Sequence, residues 1–459
     1  MIDECHHATG QHPYSRIMEQ HYHPAKRAGQ PVPKVLGLSA SLVIKSVRLE
    51  QFRAEKAALE RSLDAEVETA AELSLAQFVS SAKERVVHFP PSSAAPLRAG
   101  VTSLLLGARQ QLAAVRLRAE AAIRTSAYDF NSQQTSLDCL TKDFKFFSND
   151  LFGTVGALLE LGLYSLQRMV ASLEEELERK AVRSEDLWYD PAVMAEMAAI
   201  SKQRLKEVGA MAGLQMLDFR GSQEEKVLAF SSLKVVALAR ELRAWTGELR
   251  CIVFVERKLV AQALACLLAD LQLPGVSGVN FAFSAKAGRH VKGDPAKLQE
   301  VFRAQSSAKR KLKDTLRNFR RGEVNVLVST NVVEEGLDIP SCNLVIKFDF
   351  PTTFRSYIQS KGRARKAGSC YLLLVEEGDK VKEADYREWQ QVYRMSMEEC
   401  HSRREEVVQE VVEEEFYCTG VARVSGTQAQ VSLSNNIQVM LLKECKKKNC
   451  LKNLVVCSK

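Results

Sequence analysis

Two adjacent carboxylates near the start of the chain have the residue types needed for nucleotide hydrolysis. Residues 3–6 read Asp-Glu-Cys-His. Asp3 can help to hold a Mg²⁺ ion that bridges nucleotide phosphates, and Glu4 can orient and deprotonate the attacking water. Acidic pairs are also common on solvated turns, so these four residues do not establish the chemistry by themselves.

A second candidate site directly follows a short aliphatic run at residues 324–328. Residues 329–340 read Ser-Thr-Asn-Val-Val-Glu-Glu-Gly-Leu-Asp-Ile-Pro. Ligands of open parallel sheets bind at the carboxyl ends of strands, where this segment would lie. Gly336 permits a close backbone approach, and Asp338 can accept hydrogen bonds from a ribose hydroxyl. A plain turn does not require this pattern, which therefore favours function.

Two arginines form a third candidate site. Residues 359–366 read Gln-Ser-Lys-Gly-Arg-Ala-Arg-Lys and follow a further predicted strand. Arg363 and Arg365 suit the stabilisation of charge on a transferring phosphate. Taken alone, the segment would be better explained as a basic solvated loop or a phosphate-backbone contact. Its place after the second candidate favours the catalytic interpretation.

The elements that must position these residues differ along the chain. Residues 1–45 end a domain, and 46–245 are rich in helix formers with little Gly or Pro. Residues 246–385 alternate short aliphatic runs with helical stretches, which predicts a parallel α/β sheet. Residues 386–415 predict a helical arm, and 416–459 a small further unit.

One apolar stripe predicts a single long helix packed in a bundle. Its members recur at helical spacing and leave most of a neighbouring glutamate run on the other face. The stripe consists of Leu159, Leu163, Leu166, Val170, Leu173 and Leu177.

Composition restricts the class of protein. The 459 residues are enough for two or three domains, with 46% hydrophobic and 26% charged residues. The net charge of +8 is compatible with a polyanionic partner. The eleven cysteines lack paired metal-site spacing, which indicates reduced thiols inside a cell. The sequence contains neither an apolar run of membrane-spanning length nor a secretory leader pattern, so we expect a cytoplasmic protein without a membrane partner.

Together, the motifs resemble those of superfamily 2 helicases. Five segments match helicase motifs II to VI in order: 3–6, the Ser-Ala-Ser of 39–41, the strand at 252–256, 329–340 and 359–365. The amino-acid sequence of 336–351 and 355–365 resembles the helicase region of the Dicer family, with the RIG-I-like RNA sensors as nearest relatives. The resemblance is most specific over about 250–380 and shorter over 1–45.

The resemblance implies two RecA-like lobes around a helical insert, gripping double-stranded RNA, with ATP and Mg²⁺ between the lobes. The expected domains are the tail of the first lobe at 1–45, an all-α insert at 46–245, a complete second lobe at 246–385, the arm at 386–415 and the truncated start of a Dicer-type dimerisation domain at 416–459.

The resemblance also implies roles for single residues. Asp3 holds the metal, and Ser39 and Ser41 couple the lobes to the nucleotide. The nucleotide is contacted by Asp3, Glu4, Gln359, Gly336, Asp338, Arg363 and Arg365, with Asp3, Glu4, Arg363 and Arg365 catalytic. Thr330 and Glu335 contact RNA, and Gly336 and Asp338 are candidates for its ribose and backbone as well.

A basic stretch before motif V supports RNA binding. Between residues 286 and 321, twelve Lys and Arg residues are opposed by three acidic ones. Such a helix can contact phosphates, and duplex RNA is read by shape, phosphates and 2′-hydroxyls. A solvated amphipathic helix is the alternative. The predicted RNA contacts are Lys309, Arg310, Lys313 and Arg317.

These observations predict the helicase part of a Dicer-like protein that acts in RNA silencing or antiviral defence. A partner with double-stranded-RNA-binding domains is also implied. The 459 residues contain no Gly-x-x-x-x-Gly-Lys-[Ser/Thr] loop and no ribonuclease III domain. We therefore expect a chain truncated at both ends that alone neither hydrolyses ATP well nor cleaves RNA. The alternatives are a RIG-I-like sensor, a non-enzymatic duplex-binding regulator and, less favoured, a general unwinding helicase.

Overall fold

The computed structural model describes residues 1–39, 49–69, 82–91, 95–182, 188–282, 310, 312–330, 339–410 and 454–458. The chain divides into two compact units. Unit 1 comprises Met1–Val86 and Asn331–Lys459, and unit 2 comprises Val87–Thr330. Over the described ranges, every helix is too short or too polar to cross a membrane.

The first part of unit 1 contains a small sheet. Strand β1 (Ile2–Asp3) pairs in parallel with β2 (Leu36–Ser39). Strand β10 (Leu454–Ser458) pairs antiparallel with both β2 and β3 (Ala65–Thr69). The helices of this part are α1 (Pro13–Ile17), α2 (His23–Arg27) and α3 (Leu49–Leu63).

The second part of unit 1 is a strand–helix–strand segment. Strand β8 (Leu344–Lys347) lies parallel to β9 (Cys370–Glu376), and helix α13 (Phe354–Lys361) connects them. A parallel pair requires such a crossover. The long arm helix α14 (Lys380–Glu410) follows β9.

Three parallel strands form the sheet of unit 2. Strand β7 (Val326–Ser329) lies between β5 (Cys251–Phe254) and β6 (Val279–Ala282). All residues of β5 and β7 are buried, as expected for strands covered on both faces. Helix α11 (Lys258–Asp270) follows β5, and helix α12, described at residues 310 and 312–321, precedes β7. The predicted α/β fold with parallel strands is confirmed.

The rest of unit 2 is mainly helical. Its helices are α4 (Ala95–Arg124), α5 (Phe130–Lys145), α6 (Leu151–Leu161), α7 (Leu163–Val182), α8 (Pro191–Leu214), α9 (Gln223–Ala229) and α10 (Leu233–Arg243). Two strands fall inside the stretch expected to be all helix, namely β3 in unit 1 and β4 (Lys83–Phe89), which crosses the unit boundary. The expectation of an all-α insert beginning at residue 46 missed them, because helix-forming composition hid two short strands.

The predicted single helix through the leucine stripe is wrong. It breaks at Gly162, which has φ of 115° and separates α6 from α7. A Cβ atom there would lie 2.5 Å from the Phe230 carbonyl oxygen. Both this backbone conformation and this close approach exclude a side chain, which explains why the break lies at a glycine. Leu166, Leu173 and Leu177 of the stripe are buried as expected.

We expect Gly162→Ala to lower the free energy of unfolding by about 3 kcal/mol or more, because it adds strain and a backbone clash. Gly156→Ala is the matched control, since a Cβ atom at Gly156 has nothing within 4 Å. That change should be neutral or stabilise by roughly 0.5–1 kcal/mol. Urea unfolding of both variants is the measurement, and equal midpoints would contradict the assignment.

Candidate nucleotide and RNA sites

The two motif II carboxylates lie at the carboxyl end of β1. Asp3 is the last residue of the strand and is exposed, and Glu4 is partly buried. Glu4 adopts the left-handed conformation, with φ of 51° and ψ of 50°, before a short 3₁₀ turn at Cys5–His7. Non-glycine residues in this conformation are uncommon and concentrate at functional sites. The turn therefore places both carboxylates where ligands of parallel sheets bind.

A buried hydrogen bond joins motif II to motif III. His6 Nδ1 lies 2.6 Å from Ser39 Oγ, and both residues are nearly inaccessible to solvent. The same nitrogen lies 3.5 Å from Glu4 Oε2. Ser39, predicted as a coupling residue, is thus brought to the segment that carries Glu4, whereas Ser41 lies outside the described residues. His6 was not among the predicted site residues, although it is the last residue of the Asp-Glu-Cys-His motif.

Cys5 is not a candidate nucleophile. Burial, aided by the neighbouring Glu4 carboxylate, raises the pKa of the Cys5 thiol to about 12. The thiol is therefore neutral at physiological pH, and only a thiolate reacts readily. Cys5 fills the core beneath the turn.

The residues of motif VI follow from α13. Thr353 caps this helix by accepting a hydrogen bond from Ser356 N at 3.2 Å. Gln359 and Arg363 are each 9% exposed, and Arg365 is partly exposed. Long polar side chains are seldom so buried unless they are held in place.

The backbone of motif VI is fixed against the segment after motif V. Cys342 N donates to the Arg363 carbonyl at 3.3 Å, and Arg365 N donates to the Cys342 carbonyl at 3.1 Å. Arg365 Nε donates to the Gly362 carbonyl at 2.7 Å. These bonds set the direction in which the two arginines leave the loop.

Within unit 1, the motif II turn also contacts α13. An Arg355 guanidinium nitrogen donates to His7 Nε2 at 3.1 Å, and His7 stacks on His12 with ring centroids 5.0 Å apart. The contact joins the turn after Glu4 to the helix that leads into Arg363. Arg355 and His7 were not among the predicted site residues.

A largely buried carboxylate holds the other side of α13. Glu84 of β4 pairs with Lys361 Nζ at 2.6 Å and accepts hydrogen bonds from the hydroxyls of Tyr357 and Tyr386 at 2.7 and 2.8 Å. Burial opposes ionisation, but the Lys361 charge and the tyrosine hydroxyls outweigh it and hold the pKa of Glu84 below its usual range. We name Glu84, Lys361, Tyr357 and Tyr386 the Glu84 cluster.

Helix α12 presents a cationic face. Arg310, which is also helical, and Lys313, Arg317, Arg320 and Arg321 are all exposed. The opposite side packs inward through Leu316 and Phe319, which are 6% and 0% exposed. Arg317 forms an exposed pair with Asp314 at 2.9 Å, which is worth little in water. The helix can therefore offer a row of cations to phosphates.

The remaining predicted RNA contacts are only partly described. Thr330 follows β7 and donates its backbone N–H to the Ala282 carbonyl at 3.2 Å, beside the buried Ser329 hydroxyl. Lys309, Glu335, Gly336 and Asp338 lie outside the described residues. Unit 1 thus holds Asp3, Glu4, Gln359, Arg363 and Arg365, and unit 2 holds Arg310, Lys313, Arg317 and Thr330.

The donors present suit a weakly held Mg²⁺ ion. Among the residues that the structure describes, no group of three or more His, Cys, Asp or Glu side chains could hold a metal. Mg²⁺ usually keeps several waters and binds one or two carboxylates together with substrate phosphates. The exposed Asp3 carboxylate fits that mode.

Comparisons with known proteins identify relatives of the chain. Residues 297–368 match the helicase conserved C-terminal domain. The chain is 31% identical over 389 residues to Endoribonuclease Dicer homolog 2 of Arabidopsis thaliana, covering 83% of this chain and 26% of that protein. It is 28% identical over 421 residues to Endoribonuclease dcr-1 of Caenorhabditis elegans, covering 85% and 20%. The chain thus spans between a fifth and about a quarter of the length of these relatives.

A solved structure also aligns loosely with the chain. It is the Pyrococcus furiosus Hef helicase domain, with a TM-score of 0.38 and 20% identity, covering 84% of this chain and 72% of that chain.

Proposed function

We propose that this chain, a Dicer-like superfamily 2 helicase region with a RecA-like α/β lobe, binds double-stranded RNA and couples that binding to ATP hydrolysis. The RNA would be a substrate for silencing or antiviral defence in the cytoplasm. Its relatives are named as endoribonucleases, which supports RNA as the ligand.

The observation that carries the nucleotide part is the joined geometry of motifs II and III. The buried His6–Ser39 bond holds the turn at whose start Asp3 and Glu4 lie. Asp3 would hold Mg²⁺, which neutralises charge on the nucleotide phosphates when ATP is bound. Glu4 would accept a proton from the attacking water.

Motif VI would complete the nucleotide site. Arg363 and Arg365 have the planar, always-charged guanidinium groups that pair well with phosphate oxygens. Gln359, from the preceding turn of α13, would add a polar contact. The Arg355–His7 bond supports this assignment, because it links the motif II turn to the helix that carries Gln359.

The RNA part is supported by the exposed cations of α12. Arg310, Lys313 and Arg317 are spaced three and four residues apart, which places them on one helix face. A row of cations binds phosphates without reading base edges, as duplex RNA requires. Thr330 and the motif V residues would add contacts to backbone and ribose.

Phosphate release tests the catalytic part. We expect little RNA-stimulated release from the 459 residues alone, because they contain no phosphate-binding loop. A polypeptide that also carries such a loop should release phosphate when duplex RNA is added. Glu4→Gln, which keeps shape but removes the base, should lower that rate roughly 10²-fold or more. An unchanged rate would overturn the assigned role of Glu4.

A further inference from the structure

Glu84 is a largely buried carboxylate that lies outside all of the helicase motifs. It lies near the start of β4, and its side chain and that of Lys361 are each 17% exposed. A carboxylate in such a place is costly unless it is paired and hydrogen-bonded. The partners of the Glu84 carboxylate therefore indicate its role.

All three partners of Glu84 belong to helices beside motif VI. Tyr357 and Lys361 lie on α13, one helical turn apart, and Tyr386 lies on the arm helix α14. The hydroxyls and the ammonium approach the carboxylate at 2.6 to 2.8 Å. One side chain thus holds the last turn of α13 and the first turns of α14 at the same point.

Aromatic packing makes this point rigid. The Lys361 ammonium lies 4.7 Å from the ring centroid of Tyr393, and the Tyr357 ring stacks on Trp389 at 5.8 Å. The buried Ser360 hydroxyl lies 2.9 Å from the Tyr371 hydroxyl. Each side of the helix end is therefore fixed by a specific partner.

The arginines begin two residues after this anchor. Lys361 ends α13, Gly362 follows it, and Arg363 comes next. The loop is held on its other side by the Cys342 backbone. Two anchors, Glu84 before the loop and Cys342 beside it, leave the loop little freedom to move.

We propose that Glu84 is a positioning residue for the nucleotide-phosphate site: by clamping Lys361, Tyr357 and Tyr386, it fixes where Arg363 and Arg365 project toward a triphosphate. The inference rests on the proposed function of these arginines. Glu84 itself touches no phosphate, and its effect is exerted through the helix end. Through Tyr386 the same carboxylate makes the position of the arginines depend on the arm helix.

The test follows the Nε–Hε NMR signals of Arg363 and Arg365 while Mg²⁺-ATP is added to a polypeptide that also carries a phosphate-binding loop. Arg363→Lys and Arg365→Lys assign the two signals. Glu84→Gln should shift both signals before any nucleotide is added and weaken the ATP-dependent change about tenfold, because a misplaced group loses much of its effect. Tyr386→Phe, which removes one donor and keeps the ring, should act in the same direction but less.

The matched control is Asp143→Asn in the helical part of unit 2. Asp143 is also buried, pairs with Lys180 and accepts a hydrogen bond from Tyr189 at 2.9 Å. The Asp143→Asn substitution should lower the melting temperature and leave the arginine signals and their response to ATP unchanged.

Two results overturn the inference in different ways. If Glu84→Gln and Tyr386→Phe lower the melting temperature but leave the arginine signals and ATP response as in the wild type, Glu84 has a structural role alone. If Arg363→Ala and Arg365→Ala leave ATP binding unchanged, the proposed function of the arginines fails and the positioning role fails with it.

Discussion

Replacing Arg310, Lys313 and Arg317 together with alanine is expected to weaken duplex RNA binding by roughly 100-fold at moderate salt. The three side chains are exposed on one face of α12, and the packed side of the helix is left intact. The slope of log affinity against log salt should fall by roughly 3, because about one counterion is released per phosphate contact. Fluorescence anisotropy with a labelled duplex over a salt series measures both quantities.

The matched control removes three cations from the arm helix. Lys380, Arg387 and Arg394 are exposed and lie on one side of α14 at seven-residue spacing. Their replacement changes the net charge by the same amount, so a general charge effect would weaken binding equally in both variants. Equal weakening would contradict a specific RNA face on α12.

Arg363→Ala should lower RNA-stimulated ATP hydrolysis by roughly 10³-fold in a polypeptide that also carries a phosphate-binding loop, as loss of an arginine finger does. Arg363 is 9% exposed, and its backbone carbonyl accepts a hydrogen bond from Cys342 N. It is therefore held in place before any nucleotide binds. Steady-state phosphate release with saturating duplex RNA is the measurement.

Arg363→Lys separates charge from geometry. It keeps a cation at the site but loses the planar fork that contacts two oxygens, so we expect only partial recovery. Duplex binding without ATP should be close to wild type in both variants, since Arg363 is not assigned to RNA. A wild-type hydrolysis rate in Arg363→Ala would remove motif VI from the proposed mechanism.

The sequence predicted those parts of the fold that local patterns determine. The aliphatic runs at 252–255, 344–346 and 371–375 lie in or next to strands β5, β8 and β9. They were recognisable because parallel strands buried on both faces form continuous apolar runs. Strand β4 was missed because charged residues at its start interrupt such a run.

Contacts between distant segments could not be predicted in this way. His6 meets Ser39 across 33 residues, and Glu84 meets Tyr357 across 273. No periodicity or propensity in a local window records such pairs, since they arise from tertiary packing. Gly162 illustrates a related limit, because the close approach of the Phe230 carbonyl that requires a glycine is invisible in the sequence.

We expect this region to bind duplex RNA by its A-form shape. The most direct measurement compares the affinity of the 459-residue chain for one sequence as double-stranded RNA and as double-stranded DNA, at the same salt. We predict roughly tenfold or tighter binding of the RNA duplex, with no preference between unrelated RNA sequences. Equal affinity for both duplexes, or no binding of either, would contradict the account.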